Sequence, residues 1–339
     1  HSPAGLKRKL EQDIERADEY LGQTEILPFN DRAYQREGIK AVEQAIAKDK
    51  RWRAVYIACG LLIVALTLLM GAFLLYQGSQ TFLKAHHSVW EFLFTSDWAP
   101  LDKTGMFGGK VGAAIYIVGS LETCLLGLLI CLPFAIGSAV FMTEISPKIG
   151  EKFFRPATEI YVSIPSVVYG WFGLTKLVPI IRNAFHPKMG GFSVLAASIV
   201  LAIMIFPTIT TVAADAIKSV PNSYREGAYG LGATRWQVIG KVVLPAASGG
   251  ILTGVVLGLA RAIGEALAVA MVIGKTRSFA TSLLSPTSNL TSAIAADMGN
   301  TAQGGEYNLA LWSMALLLFI ISIVLIVLIH KLGNGKKEK

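Results

Sequence analysis

REGAYGLGATRWQVIGKVVLP, residues 225–245, is a polar island between two long apolar runs. Glu226, Gly227 and Ala228 open it, Gly232 follows, and Leu244-Pro245 closes it. Gly227, Ala228, Gly230, Gly232 and Ala233 carry almost no side chain, so another surface can approach the backbone closely there. Gly230 and Gly232 weaken a helix, and Pro245 suits the first turn of the next one. The expected element is a short helix within residues 222–240, held between two turns and offered to a partner. The plain alternative is an ordinary helical loop between membrane spans.

The runs on either side decide the class. Hydrophobic residues make up 53% of the chain and charged ones 16%, the balance of a membrane protein. A span needs about 20 mostly apolar residues. Six stretches qualify: 54–76, 113–141, 157–181, 192–214, 249–274 and 309–330. The expected fold is therefore all-α and polytopic, with residues 1–53 ahead of a membrane domain over 54–335 and a basic tail at 336–339. The polar first 50 residues do not read as a secretory signal, so the first span is expected to direct insertion.

Lysine and arginine placement sets the orientation. Lys48, Lys50, Arg51 and Arg53 precede the first span, and Lys148, Lys152 and Arg155 lie between the second and third. The island holds Arg225, Arg235 and Lys241, and Lys336, Lys337 and Lys339 end the chain. The alternate loops are poorer in positive charge for their length, so both termini and the island are expected on the cytoplasmic side. The net charge of +8 then reflects this bias, and no basic stripe interleaved with aromatics points to nucleic acid.

Outside the spans, Leu6, Leu10, Ile14, Ala17 and Leu21 recur at helical spacing, and a second helix is expected from Asn30 or Asp31 towards Trp52. The first outer loop holds Trp90, Phe92, Phe94 and Trp98, which fit an interfacial aromatic belt or a landing surface for an external protein. His86, His87, His186 and His330 lie at span edges or in outer loops, where solvated roles are expected. Cys59, Cys124 and Cys131 all fall within spans and lack zinc-site spacing, so they read as small apolar residues.

The fifth span carries Arg261 and Glu265. A charge at mid-bilayer costs about 2.5–3.5 kcal/mol on insertion scales, whereas each aliphatic residue returns roughly 0.3–0.6 kcal/mol. Those groups must therefore face protein or a watery cavity. Gly250, Gly254, Gly258, Ala262, Ala266, Ala270 and Gly274 form a ladder of small residues at every fourth position, a face for close helix packing. Arg261 and Glu265 project from the neighbouring face and, being four residues apart, are placed to pair. A guanidinium's planar fork suits a phosphate oxyanion, with Glu265 orienting it and limiting its grip. A purely structural ion pair is the competing interpretation.

At this point the chain resembles a known family. The order E-small-A, then G, then L-P in the island resembles the loop by which permease subunits of ABC importers hold their ATPases. ARAIGEALAVAMVIG, residues 260–274, is similar to the R-A-[IL]-G-E stretch of phosphate importer permeases of the PstC type. IPSVVYGWFGL at 164–174 is similar to that family's I-P-S-[IV]-V-Y-G segment, and LAIMIFPTI, FLFTSDWAP and TEISP agree with it. The resemblance covers about residues 54–331, and Gly227 replaces the second alanine of the family's E-A-A pattern.

The resemblance implies a type I ABC importer permease fold with six transmembrane helices, in the cytoplasmic membrane of a prokaryote. It implies transport of inorganic phosphate with a second, PstA-type permease, two ATP-binding subunits and an external phosphate-binding protein. Carried over by position, Arg261 and Glu265 would serve the pathway, and Ser163, Ser166 and Tyr169, beside Pro165, would shape it. Glu226, Gly227, Ala228, Gly232, Leu244 and Pro245 would form the ATPase contact. No cofactor or metal is expected on this chain, with ATP and Mg held by the partner ATPase.

No G-x4-G-K-[ST] loop occurs, and GMFGGKV at 105–111 has the wrong spacing, so the chain itself is not expected to bind ATP by that device. An ion-driven secondary transporter would show inverted repeats and leave the island unexplained. A membrane enzyme would gather an acid, base or metal cluster at one depth. A sulfate, molybdate or phosphonate importer of the same class is the nearest competitor.

Overall fold

A long aliphatic run has no water to bond its amides within a bilayer, so it satisfies them internally as a helix. The computed structural model describes residues 12, 32–101, 103, 106–187 and 190–334, and the expected helix over Leu6 to Leu21 and the tail at 336–339 fall almost wholly outside them. The chain divides into two units, His1–Ala72 and Phe73–Lys339. In the first, the helix expected before Trp52 is continuous with the first span, giving α1, Arg32–Leu83.

The second unit carries the remaining spans. They are α3 (Ala114–Ile145), the pair α4 (Pro147–Ser163) and α5 (Ser166–Phe185), α6 (Val194–Lys218), α8 (Arg235–Gly264) and α11 (Glu306–Asn334). Shorter helices are α2 (Val89–Phe94), α7 (Asn222–Gly230), α9 (Leu267–Ala270) and α10 (Leu290–Asp297). The only strands among the described residues are β1 (Trp98–Ala99) and β2 (Lys110–Val111), antiparallel with Trp98 opposite Val111.

α6 is the hub, because 67% of its apolar window is buried, more than in any other span. Gly127 of α3 lies over Leu201 and the Ser198 carbonyl, and Ser198 Oγ donates to the Thr123 carbonyl at 3.2 Å. On α8, Gly250 faces Ala216, Gly254 faces Val212 and Gly258 faces Ile209, so the ladder of small residues packs on α6 as expected. The last turns of α1, from Phe73, pack on α11, where Ser313 Oγ donates to the Gly78 carbonyl at 2.7 Å. Cys124 and Cys131 are buried in the core as expected, while Cys59 is exposed.

One expectation needs correction. The fifth span is not one helix over 249–274: α8 begins at Arg235, ends at Gly264, and Glu265 is extended (φ −77°, ψ 120°). The small-residue ladder is therefore broken after Ala262. The third span is bent at its proline, where α4 and α5 meet at 92° across Ile164 and Pro165. Pro165 cannot donate an amide and restricts the residue before it to extended geometry, and Ile164 is extended (ψ 126°). Pro245 stands in the first turn of the α-helical stretch Leu244–Gly264, as expected. It lies inside α8, directly after a π turn at Ile239–Val243 in which the Leu244 N–H donates to the Ile239 carbonyl. The wider turn takes the proline ring past the preceding carbonyls without a break.

Gly258→Val tests the α6–α8 contact. A Cβ there would stand 2.6 Å from Ile209 Cγ1, and Ile209 is fully buried. Overpacking of this kind costs about 1–3 kcal/mol. The detergent-purified variant is expected to melt several degrees lower, whereas Gly249→Ala, with open space at its Cβ, is expected to melt like the parent.

Candidate functional site

The two motifs singled out in the third and fifth spans are the places where both spans break, and the fold brings them together. α5 packs on α9, with Gly170 against Ala268 and Met271. A side chain at Gly170 would stand 2.8 Å from the Ala268 Cα, so only glycine lets the segments touch. Tyr169 is buried, and its hydroxyl donates to the Tyr161 carbonyl at 2.6 Å, stapling α5 to α4 across the bend. Ser163 Oγ turns back to the Ile160 carbonyl at 2.7 Å, and Ser166 stands half-buried at the start of α5. Ser163, Ser166 and Tyr169 thus flank one break, as their positions in the motif implied.

Arg261 and Glu265 do not pair. Because the chain leaves the helix at Gly264, Glu265 is carried away from Arg261 and caps α9 instead, its Oε1 accepting the Ala268 N–H at 3.0 Å. The Glu265 carbonyl accepts from Thr291 Oγ1 at 2.8 Å, tying the break to α10. Arg261 is half-buried and donates from Nη1 to Thr208 Oγ1 of α6 at 3.1 Å. It lies within electrostatic reach of Tyr169. No carboxylate neutralises it among the described residues, so most of its N–H groups remain available in an otherwise apolar span. The competing structural ion pair is therefore absent.

A cavity beside these spans is unlike an anion site. About 340 Å³ in volume, it is lined by Ile130, Phe134, Ile203 and Phe206, with Tyr161 at its edge.

The island is a short helix, as its composition implied. α7 has no buried residue, and Gly232 ends its turn at φ +80°, a backbone region where a side chain is strained. Glu226, Gly227, Gly232 and Pro245 are exposed, while Ala228 and Leu244 are half-buried against the α6–α8 core. Around them Tyr224, Tyr229, Leu231 and Trp236 are also exposed, Leu231 at 91%. Thr234 and Gln237 form a reciprocal cap that restarts the chain as α8.

What fixes the island was not foreseen. Arg225 forms an ion pair with Glu144, at the end of α3, with Nη2 to Oε1 at 2.6 Å. The same guanidinium donates to the Val220 carbonyl at 2.6 Å and the Ile217 carbonyl at 3.0 Å. Arg235 donates to the carbonyls of Glu144 and Ile145. Beside this clamp, Lys218 reaches Glu151 at 2.7 Å and Arg155 reaches Asp215 at 3.4 Å, joining α4 to α6.

At the opposite face, His87 is not solvated as expected. Its Nε2 lies 2.7 Å from Oε1 of Glu306, a fully buried carboxylate that also accepts the amides of Leu101, Gly108 and Gly109. Of the outer-loop aromatics, Phe92 and Trp98 are buried, and Trp90 and Phe94 stack on each other at the surface.

Residues 114–336 match the family described as binding-protein-dependent transport system inner membrane component. The chain belongs to that family. It is 46% identical over 289 residues to a probable ABC transporter permease protein, YqgH, of Bacillus subtilis, covering 85% of this chain and 92% of that one. It is 38% identical over 253 residues to the phosphate transport system permease protein PstC of Pasteurella multocida, covering 69% and 77% respectively. Against PstC of Mesorhizobium japonicum the identity is 35% over 283 residues, covering 78% and 84%. Among solved structures, a chain of the bacterial alginate ABC transporter, crystallised with its substrate-bound periplasmic protein, superposes with a TM-score of 0.58 at 17% identity, over 85% of this chain and 96% of that one. The fold is thus that of a type I ABC importer permease, and the protein is a multi-pass component of the inner membrane.

Two tests follow from the site. Arg225→Ala removes the half-buried pair with Glu144 and both carbonyl contacts, and is expected to loosen α7, read as faster hydrogen exchange of residues 222–234. Glu265→Gln keeps an oxygen for the Ala268 amide and is expected to retain the parent's thermal stability. Glu265→Ala removes it and is expected to cost about 1 kcal/mol, the usual loss for a helix cap.

Proposed function

We propose that this chain is a permease subunit of an ATP-driven importer that carries inorganic phosphate into the cell. Arg261 carries the reading: a half-buried guanidinium in an apolar span, bonded only to a hydroxyl among the described residues, is suited to a mobile anion. The PstC names borne by relatives at 38% and 35% identity favour phosphate over sulfate, molybdate or phosphonate. An ion-driven mechanism leaves the clamped, solvent-facing α7 without a purpose.

In this assignment the chain pairs with a PstA-type permease, and two ATP-binding subunits dock on α7. Glu226, Gly227, Ala228 and Gly232 form the contact, flanked by the exposed Tyr224, Leu231 and Trp236, with Leu244 and Pro245 closing it. ATP and Mg belong to those subunits, and this chain holds no ATPase site of its own. An external phosphate-binding protein delivers the anion to the face opposite α7, and both termini lie in the cytoplasm. Ser166 and Tyr169 shape the third-span break beside the pathway. Glu265 serves it by holding the break in α8 open, in place of the pairing with Arg261 expected from its spacing.

Arg261→Ala is expected to cut phosphate uptake in proteoliposomes about 10- to 100-fold, the equivalent of roughly 1.5–3 kcal/mol for bonds to a charged group. The purified assembly is expected to remain intact; normal uptake would overturn the assignment. Gly232→Val strains the φ +80° turn and is expected to shed the ATPase or uncouple its hydrolysis from uptake.

A further inference from the structure

We propose that Thr208 is a second ligand for the transported anion, donating its hydroxyl proton beside the Arg261 guanidinium. The inference rests on the phosphate-pathway reading above and adds a residue that lies in the fourth-span stretch LAIMIFPTI but was given no role there. Threonines in the helices of this chain commonly return their proton to their own backbone. Thr123, Thr143, Thr175, Thr211 and Thr253 each donate to the carbonyl four residues earlier, at 2.8–3.0 Å. This is the usual resting state of such a hydroxyl in hydrocarbon. Thr208 departs from it, as the fully buried Thr81 and Thr210 also do, but it alone of these three is half-buried and meets a cation: its Oγ1 accepts from Arg261 Nη1 at 3.1 Å, and its own proton has no acceptor among the described residues.

A hydroxyl has one proton to give and lone pairs to receive. Here the receiving side is taken by the guanidinium, which fixes the orientation of both groups. The donating side is left over, next to several unused N–H groups of Arg261. A tetrahedral oxyanion presents acceptors in several directions, so it can take N–H bonds from Arg261 and an O–H bond from Thr208 together. The donors come from two different helices, α6 and α8, which Gly254 and Gly258 bring into contact nearby. The pair is thus pre-set before any anion arrives. Thr208 is half-buried, which leaves room for access and for release.

The test uses the full assembly of both permeases, ATPases and binding protein in proteoliposomes, with labelled inorganic phosphate and ATP hydrolysis measured together. Thr208→Val removes the hydroxyl and keeps the branched shape; uptake is expected to fall about tenfold, the loss of one bond to a charged group. Binding-protein-stimulated hydrolysis is expected to persist, so fewer phosphates enter per ATP. Thr208→Ser restores the hydroxyl and is expected to recover most of the uptake. If the valine variant does not assemble, Thr208→Ala makes the same deletion without bulk. Parent-like uptake without the hydroxyl, or a serine variant as impaired as valine, would overturn the proposal. Arg261→Ala run alongside separates the two claims: normal uptake there removes the pathway reading itself, whereas a loss there with parent-like Thr208→Val removes only Thr208.

Discussion

Within a bilayer, a backbone amide without an internal partner is costly, and this constraint governs how the chain may be interrupted. Two spans break nonetheless, at Ile164-Pro165 and at Glu265-Ala266. Each break is repaired by the elements around it. Tyr169 covers the first by reaching back to the Tyr161 carbonyl, and the Glu265 carboxylate covers the second by capping α9. The segments beyond the breaks then pack on one another through Gly170 and Ala268. Non-helical backbone survives at these breaks because neighbouring side chains supply bonds to the adjoining helices, and the second break places Arg261 where α8 is about to end.

Much of this was legible. The six apolar runs gave the spans because aliphatic length is a direct physical requirement, and glycine spacing on the fifth run identified the face that meets α6. The position of the island followed from polarity, and its short helix from the turn residues. The breaks were less visible. A helical period continues unbroken through RAIGEALAVA, and only the tertiary demand of α5 and α10 pulls Glu265 out of the helix. Spacing therefore suggested a pair that the backbone does not allow. Thr208 was hidden for a related reason: a threonine in an apolar helix looks alike whether its proton is used at home or offered elsewhere.

Glu144 and Arg225 stand eighty-one positions apart, so no local pattern could join them. Their meeting explains how a helix with no buried residue keeps its place. The guanidinium gathers the Ile217 carbonyl in the last turn of α6, the Val220 carbonyl just beyond it and the last acid of α3, so α7 cannot tilt without disturbing both spans. Lys218 and Arg155 extend the arrangement to α4, the arm that leads to the first break. The island is thus tied to the bent third span through charged contacts as well as through the apolar core.

Glu306 has a consequence for the far side of the molecule. Amides from residues separated widely along the loop converge on that one carboxylate, together with an imidazole. A change of chain length directly beside Leu101, Gly108 or Gly109 would shift a donor away from the carboxylate. Insertions and deletions should therefore be tolerated poorly in this stretch even where point substitutions are harmless, a pattern opposite to that of most surface loops.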